Sequence, residues 1–312
     1  MGKVVCIINR KGGVGKTTTT LGIADTLVGQ VELPFIPGRK LVVAVDLDPQ
    51  GSLTRALLSE RGHVSEDGQL REVIKQHRTL AYALEARLTA PSISLDQFLK
   101  HGVGPTGATY SLLPNEARAW NVERQGVKRP GEAKLQWAFS RMIRDLAAEY
   151  EYVLIDSPPG QTALAEAAIR TSDLVICPIT PDWLSFWGLE SFDAYMRGLF
   201  EETPETTRPR ARFVFTKFRN NVSRTDPQNL INNFVEKFSA PDRYVTLLKE
   251  VGKEAHATGG PIRLPHDPKL VSRLEGSPST SRIWPWTKVY TAPTQKALLM
   301  LVHAMKKELH HG

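Results

Sequence analysis

The sequence predicts a doubly wound α/β fold, a mostly parallel sheet with helices on both faces. Three features point there. Short Val/Ile/Leu-rich runs recur at Lys3–Ile8, Leu41–Val45, Tyr152–Ile155, Leu174–Pro178 and Arg212–Thr216. They are apolar almost without interruption, as strands buried on both faces are. Helical periodicity separates them, notably at Thr17–Val28, Ala133–Glu149, Thr162–Arg170 and Leu189–Phe200. The residues suited to chemistry, a glycine loop with two lysines and the carboxylates Asp46 and Asp156, stand where strands end, the side on which such sheets bind ligands.

The 312 residues read as a single domain over 1–312, long enough for one large core. A less regular insertion at about 51–130 is expected to hold short helices around a strand near Tyr110–Leu113, which runs into Pro114-Asn115. A second irregular segment, about 240–292, contains the Gly/Pro/Ser-rich stretch 255–292 with Ile283-Trp284-Pro285-Trp286, and Gln295–Leu309 reads as a closing helix.

Several classes are excluded. Met1-Gly2-Lys3 leads into only five apolar residues before Asn9, so no signal-type apolar region forms. No tract approaches the length of a membrane span. Gly2 suggests myristoylation weakly, because position six is Cys6 and not Ser or Thr. Cys6 and Cys177 both lie within strand-like runs and read as buried, reduced thiols without metal-ligand spacing. A cytoplasmic protein is expected.

The charge is uneven. The chain carries a formal +7, and residues 203–290 alone hold fifteen Lys/Arg against eight Asp/Glu, so the remainder is close to neutral. A polyanion partner and a solvated basic surface are both consistent with that asymmetry.

Gly12, Gly13 and Gly15 lie between the first strand and the first helix. Without side chains there, backbone N–H groups can converge on phosphate oxygens at the positive end of the helix. Lys16 would reach the β- and γ-phosphates, and the Thr17 hydroxyl would complete a Mg²⁺ shell. A glycine turn that binds nothing would arrive at this pattern by chance on the order of one time in ten thousand, and its flanking strand and helix make that weaker still. The strict form of the motif opens on glycine, whereas Arg10 stands there, followed by a second lysine, Lys11.

With that early lysine the loop resembles the deviant Walker A loop of the ParA/MinD family of P-loop ATPases. Leu41-Val42-Val43-Ala44-Val45-Asp46-Leu47-Asp48-Pro49-Gln50-Gly51 resembles the family's second nucleotide motif, and Tyr152-Val153-Leu154-Ile155-Asp156-Ser157-Pro158-Pro159-Gly160 its Walker B strand. Leu113-Pro114-Asn115, and Pro178-Ile179-Thr180-Pro181 followed by Gly188-Leu189-Glu190, are softer likenesses. The resemblance covers about residues 1–60 and 145–220.

It implies that ATP and Mg²⁺ bind the run Lys11-Gly12-Gly13-Val14-Gly15-Lys16-Thr17-Thr18 together with Asp46 and Asp156. Thr17, Asp46 and Asp156 would serve the metal, and Lys11, Lys16 and Asp48 the hydrolysis. Asp48 would position or activate the attacking water. Lys11 would cross to the nucleotide of a second subunit, which makes the active form a nucleotide-sandwich homodimer. A carboxylate beside the γ-phosphate can accept a hydrogen bond from water, while in-line geometry does most of the catalysis.

Arg10 before the signature lysine and the Asp-Leu-Asp-Pro-Gln-Gly form favour the ParA-type partition ATPases. No helix-turn-helix domain precedes the first strand, so non-specific DNA binding through phosphate contacts is expected, with nucleoid association and a ParB-like or other stimulating partner protein. Candidate cations are Lys217, Arg219, Arg224, Arg243, Lys249 and Lys253, and further on Arg263, Lys269, Arg273 and Arg282. No membrane partner is expected. A MinD-like membrane-cycling switch nevertheless stays open, because Gln295–Leu309 gathers Leu298, Leu299, Leu301, Val302, Met305 and Leu309 mostly on one face, for a lipid surface or for packing on the sheet. A metabolic ATP-dependent P-loop enzyme also stays open, although the iron-protein type would need cluster cysteines that this sequence lacks.

Overall fold

The computed structural model describes residues 1–29, 40–58, 67–103, 109–126, 131–218, 227–251, 258–267 and 291–310. In chain order these form β1 (Lys3–Ile7), α1 (Lys16–Gly29), β2 (Lys40–Asp46), α2 (Ser52–Leu58), α3 (Asp67–Lys75), α4 (Leu80–Thr89), β3 (Lys100–Val103) and β4 (Thr109–Leu113). The middle comprises α5 (Arg118–Gly126), α6 (Glu132–Glu149), β5 (Tyr150–Asp156), α7 (Ala163–Thr171), β6 (Leu174–Ile179), α8 (Trp183–Leu199) and β7 (Arg210–Phe218). The last third adds α9 (Pro227–Lys237), β8 (Val245–Leu247), β9 (Lys249–Val251), β10 (Thr258–Pro261), β11 (Arg263–Pro265) and α10 (Ala292–His310).

The main sheet runs β3-β4-β2-β5-β1-β6-β7, and both β8 and β11 extend the far edge of β7. β8 pairs with Ala211–Phe213 and β11 with Phe215–Phe218, so one long strand carries two short neighbours end to end. Every pairing in this sheet is parallel except β3 with β4. β1 lies at the centre, between β5 and β6.

Alternation along the strands assigns each residue to a face. On β1, Val4 and Cys6 enter one apolar cluster with helices α4 to α9, while Val5 and Ile7 enter the other with α1, α2, α3 and α10. The sheet is therefore covered on both faces, as predicted. Each fully buried Val, Ile or Leu contributes on the order of 1.5–3 kcal/mol, which is why a strand as short as β1 can anchor the loop that follows it.

α10 packs on α1, and Leu298, Leu301, Val302, Met305 and Leu309 are all buried in the second cluster. The apolar stripe of the closing helix is thus spent on the core and not left for a lipid surface. Among the described residues no helix is long and apolar enough to cross a membrane. Residues 51–126 contribute β4 as a neighbour of β2, with β3 outside it, so this part is continuous with the main sheet. Cys6 and Cys177 are buried and free, and Gly2 is buried with its amide donating to Ala147 O across 2.6 Å.

Three differences from expectation have physical reasons. α8 begins at Trp183, six residues before the predicted Leu189, because Asp182 caps it by accepting from Ser185 N. Its first turns expose Trp183 (53%), Leu184 (67%) and Trp187 (58%), which hid the amphipathic pattern. The strands β8 to β11 have three or four residues each, too few to show a period. Arg243, expected as a surface cation, instead pairs at 3.3 Å with the fully buried Asp193 and lies 5.4 Å from the centre of the Phe238 ring.

Candidate functional site

β1 ends at the sheet's centre and the chain turns into α1 through residues 8–15. Gly13 and Gly15 have φ of 71° and 91°, the left-handed region that side chains disfavour. The turn is stitched to its neighbours. Asn9 accepts from Lys11 N (2.8 Å) and donates to Pro178 O (2.7 Å), which links the loop to β6. The Thr216 hydroxyl of β7 lies 2.6 Å from Val14 O and 3.0 Å from Ile179 O.

Lys16 opens α1 and is only 7% exposed, with its ammonium 3.3 Å from Lys11 O. Burial pulls its pKa below that of an ordinary lysine, opposed by the charges of Asp156 and Asp48. Thr17 and Thr18 follow on the first turn, half-buried. Thr19 and Thr20 fold their hydroxyls back onto the carbonyls of Gly15 and Lys16, at 2.8 and 3.1 Å.

The carboxylates come from adjacent strands in register: Asp46 of β2 is the pairing partner of Asp156 of β5, which in turn pairs with Ile7 of β1. Asp46 is fully engaged. Its Oδ2 accepts from Thr54 N (2.8 Å) and Thr54 Oγ1 (2.7 Å), and its Oδ1 from Asp48 N (3.1 Å). It thereby holds the turn that carries Asp48 and the start of α2. Asp48 accepts from Gln50 N at 2.9 Å and is partly exposed, with a route to solvent that Asp46 lacks.

Asp156 accepts from Thr20 Oγ1 at 3.0 Å, while its buried Oδ2 has no hydrogen-bond partner among the described residues. Burial, and Asp156 beside it, push the Asp46 carboxyl above the usual range; burial pushes Asp156 up too, against Thr17, Thr20 and Lys16. Two buried carboxyls raised in this way, one with an orphaned oxygen, fit a divalent cation or its water shell beside the Thr17 hydroxyl.

A shallow cleft adjoins the loop, lined by Gly15, Thr18, Thr216, Lys217, Pro265 and His266 among others. Lys217 takes φ 53° at its rim, the left-handed region that costs a side-chain-bearing residue energy. Of its lining, the sequence had pointed to Gly15 and Thr18 for the nucleotide and to Lys217 as a surface cation, but not to Thr216, Pro265 or His266, since the end of β7 and β11 reach the cleft only through the fold.

The Lys11 side chain finds its partners outside the loop. Its ammonium lies 3.0 Å from both oxygens of Asp182 and 3.2 Å from Ser185 Oγ. Sequence reasoning had passed over Asp182 and Ser185, because their link to Lys11 spans more than 170 positions.

Half of the described cations in residues 203–290 are paired with carboxylates. Arg210 and Arg212 meet Glu308, Lys237 meets Glu190 and Arg243 meets Asp193. Lys217 and Lys249 are exposed, and Arg263 bonds Gln228 at 3.1 Å. Arg219, Arg224, Lys253, Lys269, Arg273, Arg282 and the segment Ile283–Trp286 lie outside the described residues.

A family model described as an AAA domain matches residues 2–207. The chain is similar to the chromosome partitioning protein ParA of Myxococcus xanthus, 28% identical over 189 residues that cover 61% of this chain and 56% of that protein. Across the first curated relatives it matches, the chain spans between 49% and 62% of their length. Among solved structures, a plasmid partition protein of Borrelia burgdorferi bound to AMPPNP aligns with TM-score 0.63 and 18% identity, over 99% of this chain and 100% of that one. Cobyrinic acid a,c-diamide synthase of Mycobacterium smegmatis, with a bound ATP analog and magnesium, aligns with TM-score 0.63 and 21% identity, over 99% and 96%. At these identities the two structures attest the fold.

Proposed function

The chain belongs to the AAA domain family, and within it to the ParA/MinD group of P-loop proteins; from that premise we propose that it is a ParA-type ATPase. It binds Mg-ATP, closes as a homodimer around two nucleotides, binds DNA without regard to sequence, and hydrolyses ATP when a partner protein stimulates it. The result is the positioning of a plasmid, a chromosome region or a protein cargo in the cytoplasm.

One observation carries this reading: two lysines of a single loop are directed to different places. Lys16 is buried over the phosphate cradle, while Lys11 stands at the surface with 36% of its side chain exposed. One nucleotide in the cradle needs only the first. A lysine at the rim of the same loop suits a phosphate brought by another molecule. The fold alone does not select this activity, since a synthase shares it.

The residues divide the work in an ordered way. Backbone N–H groups of Gly12–Thr17 and the Lys16 ammonium bind the phosphates. Asp156 and Thr17 would hold a divalent cation, which when bound would neutralise charge on the phosphates. Asp46 fixes the turn of Asp48, and Asp48 orients the attacking water by accepting its proton in a hydrogen bond.

The test is the mass of the particle by sedimentation with Mg-ATP and with Mg-ADP, in the parent and in Lys11→Ala. The parent is expected to be dimeric with ATP only, and Lys11→Ala to bind ATP as a monomer. An ATP dimer of undiminished stability in Lys11→Ala would contradict the role in trans. Liposome recruitment by ATP in place of DNA binding would favour a membrane-cycling switch.

A further inference from the structure

We propose that Asp182 is a parking site for Lys11, and that the strength of this contact sets the threshold at which ATP drives self-association. The inference rests on the reading of Lys11 given above.

In the single chain the Lys11 ammonium is not idle. Both carboxylate oxygens of Asp182 lie at 3.0 Å, and Ser185 Oγ at 3.2 Å supplies a third acceptor. Asp182 is itself fixed: Thr180 donates to its Oδ2 and Ser185 N donates to its Oδ1 at 2.7 Å, the N-cap of α8. Thr180 and Ser185 also join hydroxyls at 2.8 Å. The acceptor set is therefore preorganised by the turn between β6 and α8, which Asn9 and Thr216 tie to the same loop. For Lys11 to touch a phosphate on another subunit, all three contacts must break.

An ammonium cannot serve an aspartate here and a phosphate elsewhere at once, so the two sites compete for one cation. Both ends of the pair are about two-fifths exposed, and pairs of that exposure hold by amounts worth about one and a half- to fivefold in an equilibrium. A contact of that size restrains association of the ADP or empty form without preventing closure when two triphosphates are present. Because two protomers each release one lysine, the effect on the dimer is the product of two such factors, about two- to twenty-five-fold.

Asp182→Asn isolates the effect. Asparagine caps a helix about as well as aspartate, so α8 keeps its start while the charge that holds Lys11 is lost. The dissociation constant of the Mg-ATP dimer is measured by analytical ultracentrifugation at low and at high salt, for the parent, Lys11→Ala and Asp182→Asn. Far-ultraviolet circular dichroism checks that α8 persists, and Asp182→Ser, a second capping residue without charge, repeats the measurement.

The expected result is that both Asp182 variants tighten the ATP dimer by about three- to tenfold at low salt. The gap should narrow as salt rises, as screening weakens the parent's ion pair. An unchanged or weaker dimer in folded Asp182→Asn and Asp182→Ser, with Lys11→Ala still monomeric, overturns the parking site and leaves the trans role of Lys11 standing. A parent that is monomeric while Asp182→Asn dimerises with ATP supports the parking site. Undiminished dimers in Lys11→Ala overturn both.

Discussion

The ammonium of Lys16 rests 3.3 Å from the backbone carbonyl oxygen of Lys11, so the two lysines of the loop are joined through main chain while their side chains part. Lys16 donates to its neighbour's peptide carbonyl, and burial makes its charge costly in the nucleotide-free chain. Lys16→Ala should therefore weaken Mg-ATP binding by roughly 10- to 100-fold, the worth of one charge-assisted contact. The urea midpoint of the nucleotide-free protein should stay level or rise, because a desolvated charge has been removed. Calorimetry and chemical denaturation check the two halves, and near-unchanged affinity would remove the loop from phosphate binding.

Asp48 sits on a turn that Asp46 braces, with its own Oδ1 accepting from Gln50 N. Asp48→Asn keeps an acceptor for that turn but loses the carboxylate, and Asp48→Ala loses both. If Asp48 serves the water, both variants should hydrolyse ATP about 100- to 10,000-fold more slowly and retain most of their ATP affinity. Phosphate release under saturating Mg-ATP is the measurement. A slow Asp48→Ala beside a normal Asp48→Asn would assign Asp48 to the turn alone.

Away from the site, Asp193 is a heavily used carboxylate among the described residues. It accepts from Tyr244 N and Val245 N, both at 2.8 Å, and pairs with Arg243 at 3.3 Å and Arg197 at 3.2 Å. These contacts fasten β8 and the chain before it to α8. Asp193→Ala would leave the largely buried Arg243 and two backbone N–H groups without this acceptor, at a cost of roughly 3–5 kcal/mol. Urea denaturation should show it, while a loss below about 1 kcal/mol would mean that the cluster behaves as a surface pair.

The sheet and the loop were legible in the sequence because both are local. Val4 to Ile7 announce a doubly covered strand, and Gly13 with Gly15 announce a turn that needs positive φ. What escaped is what the fold alone brings together. Lys11 meets Asp182, and Thr216 meets Val14, across spans on which no periodicity acts. α8 was read late because its first turns expose Trp183, Leu184 and Trp187 where an amphipathic helix would show polar residues. Arg243 counted as a surface charge because a sequence displays the cation and not the buried Asp193 that neutralises it. The pairing of Arg210 and Arg212 with Glu308 likewise makes the basic third less available to a polyanion than its +7 implies.

DNA binding by fluorescence anisotropy tests the central claim most directly, on two unrelated duplexes, in Mg-ATP and in Mg-ADP, across a salt series. Two copies on one duplex double the phosphate contacts, and effective concentration raises affinity without new chemistry. Each contact adds about 0.9 to the slope of log affinity against log salt, so the ATP form should bind both duplexes alike and lose affinity steeply as salt rises. Lys249→Glu with Arg263→Glu should weaken both equally. Equal binding in ATP and ADP, a strong preference for one duplex, or no binding at low salt would contradict a nucleotide-gated, sequence-blind DNA ATPase.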